Sequence, residues 1–507
     1  MSLYMTDSNS PDGPRPSGVR LDGANPGKAH PDAASVGGDP SHAELGKGLK
    51  VRHLTMMGLG SAIGAGLFLG TGVGINAAGP GVLISYLAAG TIVVLVMTML
   101  GEMAAARPAS GAFSTYAEMA FGRSAGFVLG WLYWFMLIMV LGAEITGAGA
   151  IMGAWWGIPG WIPGLICVAF FAVVNLVNVR GFGEFEFWFA FIKVAVIIGF
   201  IVIGVLLFFG LLPGTTFVGT QNIAESGFLP NGVSGIAAGL LAVAFAFGGI
   251  EIVTIAAAES EDPKRSIAAA VKSVIVRIGI FYIGCVLVII TLLPYEAINA
   301  ADTAAQSPFT LVLQQAGIPG VVGLMEAVIV LALLSAFNAQ IYATSRLVYS
   351  MSRRGEAPRF FGSQNSQAVP HRAVIMSMVF AFLSVGLQIV LDGSAVLVFL
   401  LNAVGGCLLV IWLFIALSQI KLRPRMEANG ELTVKIWAYP WLSWLAVLLI
   451  MGLTLMMLFD ETAREQVIAV VLVCLVLVAL AVLTARSRGK ARPDARIHER
   501  ARNNVLD

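Results

Sequence analysis

The sequence predicts an all-α membrane protein of twelve transmembrane helices, and three observations lead there. First, 58% of the 507 residues are hydrophobic and only 12% charged, with a mean hydropathy of +0.85. A soluble chain carries about 25% charged residues, so a water-soluble enzyme and a broad nucleic-acid surface are excluded. Second, twelve apolar runs approach the ~20 residues that cross a bilayer as a helix. They fall at about 54–76, 81–105, 125–152, 161–179, 186–211, 234–258, 274–294, 318–346, 373–391, 394–419, 437–459 and 466–485. Third, assigning the intervening loops alternately to two sides puts 30 of the 31 Lys and Arg on one side, with Arg464 alone opposite. Basic residues beside span ends stay cytoplasmic, so both termini are expected there.

Residues 1–46, rich in Pro, Gly, Asp and Ser, read as a disordered cytoplasmic tail with no signal-peptide core. A transporter core is expected over 47–420, helices 11 and 12 over 421–485, and a basic cytoplasmic tail over 486–507. The seven basic residues from Arg486 to Arg502 read as a topology anchor touching anionic lipid, or as a partner site. Cys167, Cys285, Cys407 and Cys474 lie inside apolar runs without CxxC spacing, which predicts core packing and neither disulfide nor metal chemistry.

The first run holds Gly58, Gly60, Ser61, Ile63, Gly64, Ala65, Gly66 and Gly70. Each helix-interior glycine costs about 1 kcal/mol relative to Ala, so something must compensate. A dinucleotide loop fits poorly, because the spacing is GxGxxxGxG and no strand precedes it. A GxxxG packing face is satisfied by Gly60/Gly64 and Gly66/Gly70. The third reading is an unwound segment near the bilayer midplane whose freed N–H groups bind an anionic group.

The sixth run decides between them. Phe245, Ala246, Phe247, Gly248, Gly249, Ile250 and Glu251 place a glycine pair and a carboxylate inside an apolar stretch. Interruptions in runs one and six enter from opposite faces, so runs 1–5 and 6–10 form two inverted repeats, about 47–211 and 234–420. Such pairing points to the binding site of a secondary transporter. Close helix packing at Gly248 and Gly249 is the alternative.

An ionisable residue within a span costs from about 2.5 to more than 10 kcal/mol, so each needs a role or a partner. Lys193 lies a few turns inside the fifth run, where its stem can snorkel to the interface. Glu144 is a relay or pocket candidate, or else a structural hydrogen-bond acceptor. Glu251 either meets a substrate amine or caps a half-helix. Glu102 is expected to pair with Arg107 or Arg123, and Glu326 has no assigned role. Ser335, Asn338 and Tyr342 follow at i, i+3 and i+7 on one helix face, lining a cavity or bonding neighbouring helices.

From about Lys50 to Pro440 the chain resembles the amino acid/polyamine/organocation superfamily, specifically the bacterial amino-acid permeases, and within them the GABA permeases most closely. The motifs are LKVRHLTMMGLGSAIGAG from Leu49, PASGAFSTYA from Pro108, GWLYW from Gly130, GEFEFWFAFIK from Gly183, GIEIVTIAAAES from Gly249 and NAQIYATSRLVYSMSRRGEAP from Asn338. The resemblance implies a five-plus-five inverted-repeat fold in a bacterial inner membrane. Backbone N–H groups at Ser61, Ile63, Gly64, Ala65 and Gly66 would meet the substrate carboxylate. Carbonyls around Phe245, Ala246 and Gly248 would meet its amino group, with Phe247 closing the pocket. It also implies that the Lys193 ammonium fills the space occupied by sodium in sodium-coupled relatives, leaving the proton as coupling ion with Glu144 as a second relay.

The expectation is a proton symporter importing GABA or a similar small zwitterion, needing no cofactor, nucleotide or nucleic acid. No GxxxxGK[ST] sequence occurs to bind a nucleotide. One proton carried with a neutral zwitterion moves one charge, worth about 2.3 kcal/mol per 100 mV. At about 1.36 kcal/mol per factor of ten, that sustains roughly 50-fold accumulation. A permease or exchanger for another neutral amino acid is the alternative within transport; a membrane nutrient sensor is the alternative outside it.

Overall fold

Residues 63–107, 112–177, 182–249, 263–299, 306–365 and 369–489 are described in the computed structural model, and within them the regular structure is helical throughout. The predicted N-terminal tail at 1–46, residues 490–507 of the C-terminal tail predicted over 486–507, Ser61 and Glu251 lie outside the described residues, while residues 486–489 continue the last helix.

The helices are α1 (Ala65–Phe68), α2 (Gly70–Ala78), α3 (Val82–Ala106), α4 (Ala112–Phe121), α5 (Arg123–Trp156), α6 (Trp161–Val177), α7 (Phe182–Phe208) and α8 (Gln221–Ser226). Next come α9 (Gly232–Ala246) and α10 (Pro263–Arg277), which passes through a π-helical turn at Ile278–Ile283 into α11 (Gly284–Leu292). The rest are α12 (Tyr295–Asn299), α13 (Pro308–Gln315), α14 (Val321–Arg354), α15 (His371–Leu387), α16 (Gly393–Ala428), α17 (Trp441–Met457) and α18 (Glu461–Gly489). Seven described segments are long and apolar enough to cross a membrane, one of which, Ala65–Ala106, contains α1, α2 and α3; four shorter apolar helices accompany them.

Several helices outrun the apolar windows that located them. α14 continues past 346 to Arg354, where Gly355 adopts the left-handed backbone that terminates helices, φ 77°. Arg353 and Arg354 occupy its last turn, where cations face the negative end of the helix dipole. α16 likewise runs to Ala428, beyond the apolar limit at 419. A hydropathy window sees only the lipid-facing part of a helix and misses a polar extension. The ninth and tenth runs separate cleanly, because Asp392 accepts from the N–H of Ala395 and caps the start of α16. The sixth run departs most from a smooth helix, since α9 stops at Ala246 within the apolar stretch.

The core is built around α5, which packs against α14 and α16, and around α9, which lies between α2 and α16. Contact between α9 and α16 depends on Gly405, whose α-carbon faces the backbone carbonyl of Leu241 with no room for a Cβ. α17 and α18 carry many exposed apolar side chains, among them Trp444, Leu448, Leu472 and Leu475, as expected where lipid is the solvent.

At the basic side a buried polar network ties α3, α16 and α17 together. Glu102 accepts from Gln419 Nε2 at 2.7 Å, Arg423 Nη1 at 2.8 Å and the N–H of Ile436 at 2.7 Å. Ser443 in turn donates to Gln419 Oε1 at 2.9 Å. The expectation that Glu102 pairs with Arg107 or Arg123 is therefore corrected. Arg107 reaches Glu431 through two bonds of 2.6 and 2.8 Å, and Arg123 lies 3.8 Å from Glu118. Glu102 sits one helix turn deeper than Arg107, out of water, and takes the arginine that a neighbouring helix brings to the same depth. The Arg107 guanidinium holds the Glu431 carboxyl below the usual carboxylate range, helped by Asn429. That outer pair stays ionised as pH falls through the ordinary carboxylate range and is lost only in stronger acid.

Removing one member of a buried pair strands the other charge, at a cost of about 3–5 kcal/mol. Arg423→Met is therefore expected to lower the melting midpoint in detergent. Arg423→Met combined with Glu102→Gln should regain much of the loss, since no charge then remains buried.

Candidate functional site

The first four N–H groups of a helix and its last four carbonyls lack intrahelical partners, and in a membrane interior they must find others. Two such ends meet in the middle of this molecule. α1 begins at Ala65, preceded by Gly64 in an extended conformation, φ −151° and ψ −146°. The Ala65 N–H donates to the Glu144 carboxylate, 3.2 Å from Oε1 and 3.1 Å from Oε2. Glu144 lies on α5, 4% exposed, so a carboxylate of the chain itself occupies the positive end of α1. A Cβ on Gly64 would come within 2.6 Å of Glu144 Oε1.

α1 gives way to α2 through a turn at Leu69. The interrupted carbonyl of Phe68 accepts from the Ser307 hydroxyl at 2.8 Å, and the Phe68 ring stacks edge-on against Phe309, 5.2 Å between centroids.

The opposing end is the C-terminus of α9. Its last turn tightens as the N–H groups of Phe247 and Gly248 bond the carbonyls of Ala244 and Phe245, each at 3.0 Å. Gly249 then takes φ +89°, which a side chain would resist. The Ala246 carbonyl accepts from the Tyr282 hydroxyl at 2.6 Å. Gly66 faces this end directly, so close that a Cβ on it would lie only 2.6 Å from Ala246 Cα. Gly70 lies beside the Ala242 carbonyl with more room, a Cβ there meeting it at an ordinary 3.4 Å. Of the two GxxxG pairs, Gly66 and Gly70 lie against α9 and bring an N-terminal and a C-terminal helix end side by side, while Gly64 faces Glu144 and Gly60 lies outside the described residues.

Lys193, on α7, is 0% exposed. Its Nζ donates to Ser335 Oγ on α14 at 3.2 Å, so the snorkelling alternative does not describe it. Ser335, Asn338 and Tyr342 separate in role: Asn338 Oδ1 accepts from Asn175 Nδ2 on α6 at 2.8 Å, while the Tyr342 ring lies 3.2 Å from the Arg346 guanidinium carbon. Glu326, without a role in the sequence reading, accepts from Trp155 Nε1 at 2.7 Å. Ile63, Gly64, Ala65, Gly66, Phe245, Ala246, Phe247 and Gly248 therefore gather at the two helix ends. Glu144 joins them directly, while Lys193 is held by Ser335 on α14.

Sequence reasoning missed Thr71, Tyr86, Tyr282 and Ser307. Tyr86 and Thr71 share a hydrogen bond of 3.0 Å between α3 and α2. The available signal was the hydroxyl of a tyrosine or serine inside an apolar run, which requires a partner when buried.

The chain matches the amino acid permease family over residues 53–493. It is 66% identical to the aromatic amino acid transport protein AroP of Corynebacterium glutamicum, over 89% of this chain and 98% of that relative. It is 40% identical to the gamma-aminobutyric acid permease of Bacillus subtilis, over 84% of this chain and 91% of the relative. The gamma-aminobutyric acid permease of Escherichia coli also stands at 40%, over 87% and 95%. Among solved structures a manganese transporter of Eremococcus coleocola aligns with a TM-score of 0.51, covering 86% of this chain and 95% of its own. At 14% identity that likeness concerns the fold alone.

Gly66→Val is expected to abolish substrate uptake while protein still reaches the membrane, because the added side chain drives α1 away from Ala246. Gly452→Ala on α17, where a Cβ meets nothing within 4 Å, should leave uptake near normal in the same assay.

Proposed function

The chain belongs to the amino acid permease family, and within it we propose a proton-coupled importer of aromatic amino acids, working by alternating access in a bacterial inner membrane with both termini cytoplasmic. The observation that carries this reading is the meeting of the α1 and α9 ends, with Gly66 against Ala246. A helix N-terminus attracts anions and freed carbonyls attract cations, so the pair suits a zwitterion. The substrate carboxylate is assigned to the N–H groups of Ile63, Gly64, Ala65 and Gly66 and, from the sequence alone, to Ser61. Its ammonium is assigned to the carbonyls around Phe245, Ala246 and Gly248 and, from the sequence alone, to Glu251, with Phe247 closing the site. Two inverted repeats would supply the two ends.

Glu144 gives the coupling a physical form. An ionised Glu144 competes with the substrate carboxylate for the Ala65 N–H; a protonated one releases it. Lys193, held by Ser335, supplies the fixed positive charge that substitutes for a metal cation. Proton uptake by Glu144 and substrate binding are then favoured together, which is what symport requires.

The 66% identity with a transport protein named for aromatic amino acids favours that substrate class. GABA is the second reading, favoured by the 40% identity with two gamma-aminobutyric acid permeases.

Proteoliposomes containing only this protein are expected to accumulate labelled phenylalanine under an inward proton gradient and not under a sodium gradient alone. Unlabelled tyrosine and tryptophan should compete better than GABA; the reverse order would favour the second reading. Binding without accumulation would overturn transport in favour of a sensor. Lys193→Met should abolish gradient-driven accumulation, and sodium-driven uptake by the wild type would overturn the coupling assignment.

A further inference from the structure

Tyr282 is a buried polar group to which the transport mechanism assigns no part. It lies on the π-helical turn Ile278–Ile283 between α10 and α11 and is fully buried. A π-turn disturbs the regular i→i−4 ladder and recurs where a helix must aim a particular side chain. Here the side chain aimed is this phenol, whose hydroxyl donates to Ala246, the last residue of α9 before the chain turns away.

Its ring closes an aromatic cluster. Tyr282 lies 5.2 Å from Phe247 and 6.1 Å from Tyr86, centroid to centroid, and Tyr86 lies 6.1 Å from Phe247, edge to face. All three are fully buried. At the far side of the cluster Tyr86 and Thr71 share their hydroxyl bond, so the chain of contacts begins on α2, crosses α3, and ends on the α9 terminus. Ala246 is also the residue that Gly66 of α1 approaches. The tyrosine pair therefore joins α2, α3, the π-turn and α9, and fixes Ala246 against the helix end that carries the opposite charge.

We propose that Tyr282, with Tyr86, is a positioning residue for substrate recognition: it holds the Ala246 carbonyl at a fixed distance from the start of α1, and so sets the carboxylate-to-ammonium separation that the site accepts. The inference rests on the transport reading above. A carbonyl oxygen has two lone pairs, so Ala246 can accept from Tyr282 and still face an ammonium. The phenol holds the carbonyl's direction before substrate arrives, which spares the site that ordering at the moment of binding. Without the hydroxyl the carbonyl is free to turn, and the spacing loosens.

The test compares wild-type and Tyr282→Phe full-length protein in proteoliposomes, with tritiated phenylalanine as probe. The ring stays and only the hydroxyl is lost. Losing one hydrogen bond should raise the KM roughly three- to tenfold, with Vmax within about twofold. The preference for phenylalanine over β-phenylalanine as competitor, whose ammonium lies one carbon further from the carboxylate, should shrink alongside. A KM within about twofold of wild type overturns the proposal, whether or not Vmax or the melting midpoint falls, because a merely structural hydroxyl changes the amount of folded protein and not the KM. A raised KM with undiminished discrimination overturns it as well. Should Tyr282→Phe fail to fold, Tyr282→Leu, which also removes the hydroxyl donated to Ala246, is read by the same criteria. Wild-type protein that accumulates neither phenylalanine nor GABA would instead overturn the transport reading itself.

Discussion

In a membrane interior a backbone N–H or carbonyl without a partner costs several kcal/mol, and that constraint governs the centre of this molecule. α9 stops within its apolar run and α1 starts behind an extended glycine, leaving polar main-chain groups where no bulk water competes. At three of these groups a side chain from a different helix or turn completes the bonding. Glu144 receives the Ala65 N–H, Ser307 serves the Phe68 carbonyl and Tyr282 serves the Ala246 carbonyl. The interruptions are stable because three neighbouring elements are arranged to complete them.

Completion by side chains has a consequence that completion by a regular helix would not have. A helix hydrogen bond cannot be exchanged without unwinding, whereas a carboxylate or hydroxyl can leave by rotating about its own χ angles. Glu144 is the sharpest instance, since it brings to the start of α1 the same functional group that an amino acid would bring. Ser307 and Tyr282 differ: each carries a hydroxyl that donates to a carbonyl and has no charge to lose. The two helix ends are therefore unequal, one closed by a titratable group and the other by a neutral phenol.

How far this was legible in the sequence depended on whether a signal was local. The glycine density from Gly58 to Gly70 and the Phe247–Gly248–Gly249 triplet stand out against apolar surroundings, so both interruptions can be located from residue order alone. Glu144 and Lys193 stand out for the same reason, as charges where charge is expensive. Partners were not legible, because they come from distant stretches of chain. Glu102 and Arg423 are 321 positions apart and meet only once α3 and α16 have packed. Reasoning from nearby residues chose Arg107 or Arg123 for Glu102, and depth rather than proximity in sequence decided otherwise. Tyr282 was missed because a tyrosine in an apolar run reads as core packing until the π-turn aims it at Ala246.

The contacts that close the two faces of the fold differ in kind, and the difference bears on how the helices can move. On the side opposite the basic one, Asn231 donates to the Ala77 carbonyl at 2.8 Å and Tyr295 donates to that of Asn76 at 2.9 Å, both neutral bonds near solvent. Each contributes about 1 kcal/mol net, and water readily replaces either partner. On the basic side Glu102 is enclosed with Arg423 and Gln419, and separating α3 from α16 would strand a charge away from water. A motion that opens the first side exchanges one set of weak neutral bonds for hydration. A motion that opens the second must either carry α3 and α16 together or admit water to Glu102 as it proceeds. The proposed alternating access would therefore meet unequal costs on the two sides, the larger where Glu102 and Arg423 are enclosed with Gln419.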